Sequence, residues 1–400
     1  MNRRLLGEVV TFVRGVTFDG AEAHATPRGG TVPILRAGNI GQQLVTDADL
    51  IWVPLERVSE EQSMCRGDIA ICMSSGSRSV VGKTAILEHP FEGAVGAFCG
   101  LIRSGPLVDA RYLAHWLRSD VFFRWRDSQS RGASIQNLRF SELALLEIAL
   151  PSLGVQRRIA AGLDLQLASV ERAGSRTSEM RAETQALRAR AIEGSFERLD
   201  QPHGQALCQV GSLDDGDWIL TNDYVPAGVR LFQVGDIGRG ELLAKSNRFI
   251  SMERATELRC TILRAGDVLI SRMPDPVGRA CVLPHLPYPS ITAVDVTIFR
   301  PDTTRLDTDF VVQFMNSRSW LADVAGKASG ATRQRISRAN MELLQIPVPS
   351  LASQQRIAAE LRERLATLDA MESAIRAEQE AIEALPSALL RRAFDGLIAA

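Results

Sequence analysis

One stretch of this sequence occurs twice, as Pro151-Ser152-Leu153-Gly154-Val155-Gln156-Arg157-Arg158-Ile159-Ala160-Ala161-Gly162-Leu163 and again as Pro349-Ser350-Leu351-Ala352-Ser353-Gln354-Gln355-Arg356-Ile357-Ala358-Ala359-Glu360-Leu361. The copies are identical at nine of thirteen positions and lie 198 residues apart. Shorter matches keep nearly the same offset: Gly38-Asn39-Ile40 with Gly235-Asp236-Ile237, Gly67-Asp68 with Gly266-Asp267, and Gly132-Ala133-Ser134 with Gly330-Ala331-Thr332. A period near 200 residues predicts a tandem duplication of domain-sized halves and not a solenoid of short repeats.

The composition is that of a soluble globular chain. Its 400 residues are 45% hydrophobic and 23% charged, which allows two domains of ordinary size, each with its own core. No apolar run reaches eighteen residues, and the run after Arg3-Arg4 is too short for a signal peptide. These features predict a cytoplasmic protein.

Each half changes pattern at the repeated stretch. Before it, residues 6–150 and 207–348 carry short apolar runs broken by Gly and Pro, with helical stretches between them, which is typical of mixed α/β domains. After it come about 45 residues with few helix breakers, which predict a long helix in each copy. The predicted segments are residues 1–150, 151–200, 201–348 and 349–400.

The two long helices show a seven-residue apolar repeat. In the second copy it falls on Leu361, Leu368, Ile375, Ile382 and Leu389. In the first copy the side chains of the seam are smaller and more polar. They are Leu163, Val170, Thr177, Thr184 and Ala191, with Ala173, Met180 and Leu187 on companion positions. The two seams are complementary, so we expect an α+β protein in which two mixed α/β domains are separated by two long helices packed as an antiparallel coiled coil, with internal pseudo-two-fold symmetry.

Three residues disturb this helix pattern. Pro386 lies inside the second helix, where it is expected to kink or interrupt it and to leave Ser387 to Ile398 as a separate helical segment. Gly162 and Gly174 are each unfavourable by nearly 1 kcal/mol relative to Ala, so packing is expected to hold the first helix.

The sequence predicts neither a metal site nor a catalytic centre in this chain. The six cysteines form no CxxC pair and the five histidines no HxxxH or HExxH spacing, so we expect free thiols in a reducing compartment. The segment Gly76 to Thr84 resembles a phosphate-binding loop, but Ser77 stands where that loop needs Gly. What recurs in the second half is Val277-Gly278-Arg279-Ala280 for Val81-Gly82-Lys83-Thr84, a Val-Gly-basic turn.

Positive charge is local, since the net charge is only −1. Each half has one cluster of about +4: six arginines against two aspartates between Arg111 and Arg139, and five basic residues against one aspartate between Arg318 and Arg338. The clusters recur at corresponding places and lie next to aromatic residues. A solvated helix face and a nucleic-acid contact both remain open for each cluster.

These features together resemble the specificity subunits of Type I restriction-modification enzymes. The resemblance covers nearly the whole chain and rests on two divergent domains, each closed by a Gly-small-Ser/Thr loop, a Pro-Ser-Leu stretch, a Gln-Arg-Ile core and a long helix. The two loops read Gly132-Ala133-Ser134-Ile135-Gln136-Asn137-Leu138 and Gly330-Ala331-Thr332-Arg333-Gln334-Arg335-Ile336.

The resemblance implies a non-catalytic subunit that recognises a bipartite sequence in double-stranded DNA. Each recognition domain would read one half of the site, and the helices would set the gap. The partners implied are DNA adenine methyltransferase subunits and restriction motor-nuclease subunits. S-adenosylmethionine, ATP and magnesium would then belong to those partners, and this chain would hold no cofactor.

Candidate DNA contacts follow from side-chain chemistry, because Gln and Asn pair with adenine and Arg with guanine. The candidates are Ser77, Arg78, Lys83, Arg131, Gln136 and Asn137 in the first half, and Arg272, Arg279, Lys327, Arg333, Gln334 and Arg335 in the second. Two alternatives stay open: a duplicated coiled-coil scaffold that binds only proteins, which the neutral total charge favours, and a DNA-modifying enzyme with an unrecognised active site.

Overall fold

The computed structural model describes residues 2–129, 136–197, 199, 204–274, 276–330 and 334–398. Its helices are α1 Ala110–Trp116, α2 Asp120–Gln129, α3 Phe140–Ala144, α4 Leu153–Phe196, α5 Met252–Glu257, α6 Thr308–Phe314, α7 Arg318–Lys327, α8 Arg338–Glu342 and α9 Leu351–Ile398. Its strands are β1 Arg3–Leu5, β2 Val10–Arg14, β3 Thr31–Leu35, β4 Ile51–Pro54, β5 Ile69–Cys72, β6 Ser74–Ser75, β7 Thr84–Ile86, β8 Ala94–Val95, β9 Cys99–Ser104, β10 Gln136–Asn137, β11 Glu147–Ala149, β12 Gln205–Ala206, β13 Gly211–Asp215, β14 Tyr224–Val225, β15 Val229–Phe232, β16 Phe249–Ile250, β17 Val268–Ser271, β18 Ala280–Val282, β19 Ser290–Thr292, β20 Val296–Pro301 and β21 Gln345–Ile346. Mixed α+β structure, with two sheet-rich regions separated by a long helix, confirms the predicted fold class.

The chain divides into two compact units. Unit 1 comprises Met1–Thr177 with Ala377–Ala400, and unit 2 comprises Ser178–Arg376. The boundaries pass through α4 and α9, so each unit contains a sheet-rich region and a segment of both long helices. The predicted segment boundaries after residues 150, 200 and 348 rest on the change of sequence pattern, and they stay a prediction.

Unit 1 is built around a four-stranded antiparallel sheet with the order β2-β9-β5-β7. The central strand β5 reads Ile-Ala-Ile-Cys and is buried at every residue, as expected of a strand covered on both faces. Ile69 and Ile71 face a core that includes α1 and the end of α9, and Ala70 and Cys72 face a second core below the other side of the sheet. A second sheet, β4-β3-β8, and the pairs β1-β11 and β6-β10 complete the strands.

Unit 2 repeats this plan. Its four-stranded sheet has the order β13-β20-β17-β18, which is the order of unit 1 with each strand replaced by its counterpart in the second half. A second sheet, β14-β16-β15-β19, contains one parallel pair, β15 with β19, as β3 pairs parallel with β8 in unit 1. The sequence duplication therefore corresponds to a duplication of strand topology.

The long helices contribute antiparallel segments to each unit. In unit 1, Leu163 of α4 lies in one buried cluster with Leu390 and Phe394 of α9. In unit 2, Phe196 of α4 shares a cluster with Leu361 of α9. The start of α4 thus packs with the end of α9, and the end of α4 with the start of α9, which is the antiparallel sense.

The predicted seam is buried at six positions and half-buried at Val170, Ala191, Ile382 and Leu389, and two of its companion positions in α4 are exposed. Thr177 and Thr184 are each 2% exposed, and their hydroxyls donate to the carbonyls of Ala173 and Met180 at 2.9 and 2.8 Å. Met180 and Leu187 are 40% and 47% exposed, so the prediction that they line the seam is wrong. A threonine whose hydroxyl bonds its own helix can stand in an apolar seam at little cost.

Helix α9 continues through Pro386 to Ile398, so the predicted interruption does not occur. Packing on both sides of the proline accounts for this. Ile382 lies against Gly174 before it, and Leu390 and Phe394 are buried in the core of unit 1 after it. Proline costs a helix interior about 3 kcal/mol, which burial of large side chains of this kind offsets.

Candidate nucleic-acid interface

In unit 1 a turn between β5 and β7 carries three of the predicted DNA contacts. Its chain path requires Gly82, which has a φ of +81°, and a Cβ there would lie 2.7 Å from Cδ of Arg126. Arg126 in turn donates to the carbonyl of Val81 at 3.2 Å. Helix α2 therefore holds the end of the turn. There Val81 accepts the hydrogen bond from Arg126, and Gly82 adopts the positive φ.

The strand pair β6-β10 brings the second predicted segment to this turn. Asn137 pairs with Ser74, and Gln136 with Ser75. We call surface 1 the exposed side chains of Ser77, Arg78, Lys83 and Asn137. Segments more than fifty residues apart in sequence thus meet at one end of the sheet.

Surface 1 is polar and positively charged. The hydroxyls of Ser77 and Ser79 lie 3.0 Å apart. Arg78 reaches Asp127 only at 3.9 Å and its side chain stays 61% exposed, and the Lys83 side chain is exposed as well. Cations so loosely held are available to an anionic partner.

Sequence reasoning missed an exposed aromatic residue beside surface 1. Phe98 is 69% exposed, and its carbonyl accepts hydrogen bonds from the N–H groups of Met73 and Ser74 at 2.8 and 3.1 Å. Its position is therefore fixed relative to surface 1. In the sequence Phe98 lies next to the apolar strand β9 and resembles a core residue.

In unit 2 the corresponding turn buries its two arginines. Arg279 is 8% exposed, and its guanidinium donates to the carbonyls of Ile237, Pro276 and Val234 at 2.7 to 2.9 Å. Arg272 is 6% exposed and donates to the Ile336 carbonyl at 2.9 Å.

Arg272 also pairs with Asp215 at 2.7 Å, and burial lowers the pKa of its guanidinium. Both guanidinium groups thus donate to oxygens of their own unit. Arg272 and Arg279 therefore help to hold the fold of unit 2, and their predicted DNA contacts stay predictions.

Two other predicted contacts of unit 2 lie in the second predicted loop and are at least partly open to solvent. Gln334 is exposed, and Arg335 is partly exposed with Nε 3.0 Å from Asp295. We call surface 2 the pair Gln334 and Arg335. Asp295 occupies the position of Phe98, because its carbonyl accepts from the Arg272 N–H at 2.9 Å as Phe98 accepts from Met73. The two units thus share a backbone plan and differ in the side chains they expose there.

A second exposed aromatic residue lies near surface 2. Trp218 is 69% exposed and follows Asp217, whose N–H donates to the Thr292 carbonyl at 2.7 Å. Lys327, another predicted contact, ends helix α7 in an exposed position, with Nζ 3.5 Å from the Leu343 carbonyl.

Most arginines of the two predicted charge clusters are paired inside their own unit. Arg111 pairs with Asp164 at 3.2 Å and Arg124 with Asp395 at 3.3 Å, so both bind the long helices. Arg338 pairs with Glu342 at 3.2 Å. Two arginines of the first cluster are thus paired with aspartates of the long helices, while Asp120 of the same cluster pairs with Arg391 of α9 at 2.9 Å.

Three predicted contacts lie outside the described residues: Arg131, Arg333 and the side chain of Gln136. Within the described ranges, no three His, Cys, Asp or Glu side chains are arranged to hold a metal ion. None of the helices in those ranges has the length and apolar character needed to cross a membrane.

Comparison with known proteins gives these surfaces a family context. Residues 1–171 match the family model of the Type I restriction modification DNA specificity domain. The StySPI specificity subunit of Salmonella potsdam and the EcoKI specificity subunit of Escherichia coli K12 are each 27% identical, over 98% of this chain and 88% of their own length.

Two solved structures share the fold. One, from a study of complex assembly and conformational transition of the type I R-M system, has a TM-score of 0.78 at 20% identity, covering 98% of this chain and 97% of that one. The other, the HsdS subunit of Thermoanaerobacter tengcongensis, has a TM-score of 0.61 at 20% identity, with 99% and 96% covered. The chain is therefore similar over nearly its whole length to specificity subunits of Type I restriction enzymes, and its fold is that of the two solved structures.

Proposed function

We propose that this chain recognises a bipartite DNA sequence within a Type I restriction-modification complex, with unit 1 and unit 2 each reading one half. The observation that carries the proposal is the duplicated backbone plan, in which the carbonyl of Phe98 in unit 1 and of Asp295 in unit 2 accepts a hydrogen bond from the residue after the matching strand. One backbone plan presents Ser77, Arg78, Lys83 and Asn137 in unit 1 and Gln334 and Arg335 in unit 2. Two readers of unlike half-sites need a common scaffold and different side chains.

Surface 1 combines phosphate and base contacts. Arg78 and Lys83 would neutralise phosphates, and the Asn137 amide can pair bidentately with adenine. Phe98 would contact a thymine methyl group or press against a base step, as exposed apolar side chains do in other DNA-binding proteins. The Phe98 ring is 69% exposed next to the cations of surface 1, and contact with a DNA base would remove this apolar surface from water.

Surface 2 is suited to a different base. Nε of Arg335 lies 3.0 Å from a carboxylate oxygen of Asp295, as an ion pair without hydrogen-bond geometry, and the partly exposed guanidinium can read guanine through bidentate hydrogen bonds. A well-placed pair of this kind contributes roughly 1–3 kcal/mol of discrimination against the wrong base. Gln334 beside it adds an amide that can pair with adenine.

The partners and cofactors of this proposal follow from the family. Methyltransferase subunits would dock on this chain and supply S-adenosylmethionine chemistry, and motor-nuclease subunits would use ATP and magnesium. The two helices would set the unspecified gap between the half-sites. This chain itself would contribute recognition and no catalytic step.

The first test is to co-express the full chain with its methyltransferase subunit and to map methylated adenines across a genome. We expect a split motif with a fixed internal gap. Replacing residues 1–150 by those of a relative should change one half of the motif only. A stable complex whose methylation follows no sequence would contradict the proposal and favour a protein-binding scaffold. Methylation by this chain without its partner would instead indicate an enzyme.

Point variants test the surfaces themselves. Asn137→Ala and Phe98→Ala should relax the first half of the motif and leave the second unchanged, and Arg335→Ala should do the reverse. Arg66→Ala is the matched control, because Arg66 is exposed but precedes β5, at the end of that strand opposite surface 1. If Arg66→Ala weakened recognition as much as Asn137→Ala, surface 1 would lose its special role.

A further inference from the structure

Two cysteines face each other across the central sheet of unit 1. Cys72 of β5 and Cys99 of β9 are register partners in an antiparallel pair. The Cys72 N–H and carbonyl bond to Lys83 and Gly82, on the side away from β9. The Cys99 N–H and carbonyl bond to Gly96 and Gly15, on the side away from β5.

The two residues therefore form a non-hydrogen-bonded pair, the closer of the two antiparallel pairings. Cα atoms in such pairs lie about 4.5 Å apart. This falls within the range of roughly 4.4–6.8 Å that disulfides span. The backbone thus places both thiols where a bond between them needs little movement.

The side chains are directed at each other. Both point to the same face of the sheet and share one buried cluster, with Cys72 0% and Cys99 3% exposed. A hydrogen bond between the thiols lowers the pKa of Cys72 and raises that of Cys99. The ammonium group of Lys83, whose carbonyl accepts a hydrogen bond from the Cys72 N–H, also lowers the pKa of Cys72, and we therefore assign Cys72 as the attacking sulfur.

Unit 2 provides an internal comparison. The corresponding register partners are Ser271 and Val296. Ser271 is fully buried, and its hydroxyl donates to the Met273 carbonyl at 2.8 Å, much as the Cys72 thiol lies 3.6 Å from the Ser74 carbonyl. The fold therefore accepts a pair without sulfur at this position, and packing alone does not demand two cysteines in unit 1.

We propose that Cys72 and Cys99 are a modification site, which a peroxide oxidises to a reversible cross-strand disulfide. The Cys72 thiolate attacks a peroxide oxygen and becomes a sulfenic acid as the first water leaves. The Cys99 sulfur then attacks the Cys72 sulfur, the S–S bond forms, and the hydroxyl leaves with the Cys99 proton as the second water. Two thiols and one hydrogen peroxide thus give one disulfide and two waters, and a dithiol reductant reverses the bond.

The site lies directly beneath surface 1. Cys72 precedes Met73 and Ser74, and Cys99 follows Phe98, whose carbonyl holds both of those N–H groups. A disulfide would tie the two strands together at the point where they leave the sheet toward surface 1. This inference goes beyond DNA recognition and does not depend on it, because the thiol chemistry is measured without DNA.

The test is peptide mapping of the full chain after treatment with hydrogen peroxide. We expect a linked pair of peptides that contains Cys72 and Cys99, lighter by two hydrogens than the reduced peptides and separated again by dithiothreitol. Cys65→Ser removes an exposed thiol elsewhere in unit 1 and should leave the link intact. Free Cys72 and Cys99 after oxidation and denaturing alkylation, or a link from Cys72 to Cys65 instead, would overturn the proposal.

A matched variant copies unit 2 into unit 1. Cys72→Ser with Cys99→Val reproduces Ser271 and Val296, so it should fold, with unchanged circular dichroism, and should form no linked peptide. The single variant Cys72→Ser should leave Cys99 unmodified by peroxide. Oxidation of Cys99 to the same extent in that variant would show that Cys72 is not the attacking thiol and would contradict the assignment.

Discussion

The side chain of Gln156 accepts a hydrogen bond from the backbone N–H of Asp109, with Oε1 2.8 Å from the nitrogen. Its Nε2 donates to the carbonyls of Leu107 and Pro151 at 3.1 and 2.8 Å, and the residue is 1% exposed. One glutamine thus ties the start of α4 to the residue that caps α1.

Gln354 makes the same contacts in unit 2. Its Oε1 accepts from the Asp307 N–H at 2.8 Å, its Nε2 donates to Arg305 and Pro349 at 2.8 and 2.9 Å, and it is fully buried. The repeated Gln-x-Arg-Ile stretch therefore has a structural role: its glutamine joins the sheet-rich region of each unit to the long helix that follows.

Replacing either glutamine should destabilise its unit. Gln354→Leu removes three hydrogen bonds and leaves buried backbone groups without partners, each of which costs about 1–3 kcal/mol. We expect a loss of at least about 2 kcal/mol in the free energy of unfolding, measured by urea denaturation. Gln43→Leu, at an exposed position, is the control and should change it by no more than about 0.5 kcal/mol. Equal effects of the two variants would refute the role given to Gln354.

The glycines of α4 are sites for stabilisation. A Cβ at Gly174 would meet Cγ2 of Ile382 at 3.8 Å, an ordinary contact, and one at Gly162 would meet nothing within 4 Å. Gly174→Ala and Gly162→Ala should each raise the free energy of unfolding by up to about 1 kcal/mol through helix propensity. Thermal denaturation would measure this. A lower midpoint for Gly174→Ala would show that Ile382 lies too close to position 174 to accept a Cβ.

Lys83 and Arg279 are counterparts in sequence but should respond differently to mutation. Lys83→Ala removes an exposed cation, so stability should be unchanged while the dependence of log affinity on log salt falls by about one in a DNA-binding titration. Arg279→Ala removes a guanidinium bonded to buried carbonyls and should cost at least about 3 kcal/mol of folding stability. A folded, stable Arg279→Ala protein with weakened DNA binding would reverse this assignment.

His115 should make unit 1 less stable in mild acid. It is 7% exposed with Nε2 2.7 Å from Asp164, and burial lowers the pKa of the imidazole below 6.5, with Arg118 and Arg111 adding to the effect and Asp164 opposing it. Because the folded-state pKa lies below the unfolded one, the stabilisation is present above pH 6.5 and is lost as pH falls through the folded-state pKa.

The measurement is the urea midpoint at about pH 8 and about pH 5.5, above the range in which most carboxylates titrate. The wild-type midpoint should fall more than that of His115→Asn, which carries no titratable ring. Parallel falls in the two proteins would assign the acid sensitivity to other groups.

Several features could be predicted from residues alone, since they depend on local pattern. The exact repeat at Pro151 and Pro349 implied two copies of one domain, and the apolar steps along residues 351–398 predicted a long helix with a buried seam. The recurrence of Val-Gly at Gly82 and Gly278 predicted a turn in both halves. Both glycines have a positive φ, a backbone conformation that favours glycine. Such signals survive in sequence because they arise from neighbours along the chain.

Contacts between distant segments could not be predicted from the residues alone. In the sequence, Arg272 and Arg279 look like any arginine that could contact DNA. Their hydrogen bonds to the carbonyls of Ile336 and Ile237, each more than forty residues away, show that they hold the fold. Phe98 has the signature of a core residue, and only the tight turn before β9 exposes it. Pro386 predicted a helix break, which core packing on either side prevents.

The amino-acid sequence by itself determined the duplication, the fold class and the long helices, because hydrophobic period and turn chemistry are written residue by residue. The tertiary structure alone decided which polar side chains face solvent, which arginines are consumed inside a unit and which two cysteines meet. The physical reason is that burial and hydrogen-bond partnership depend on what the folded chain brings alongside each residue, and a guanidinium or a thiol takes its role from those neighbours.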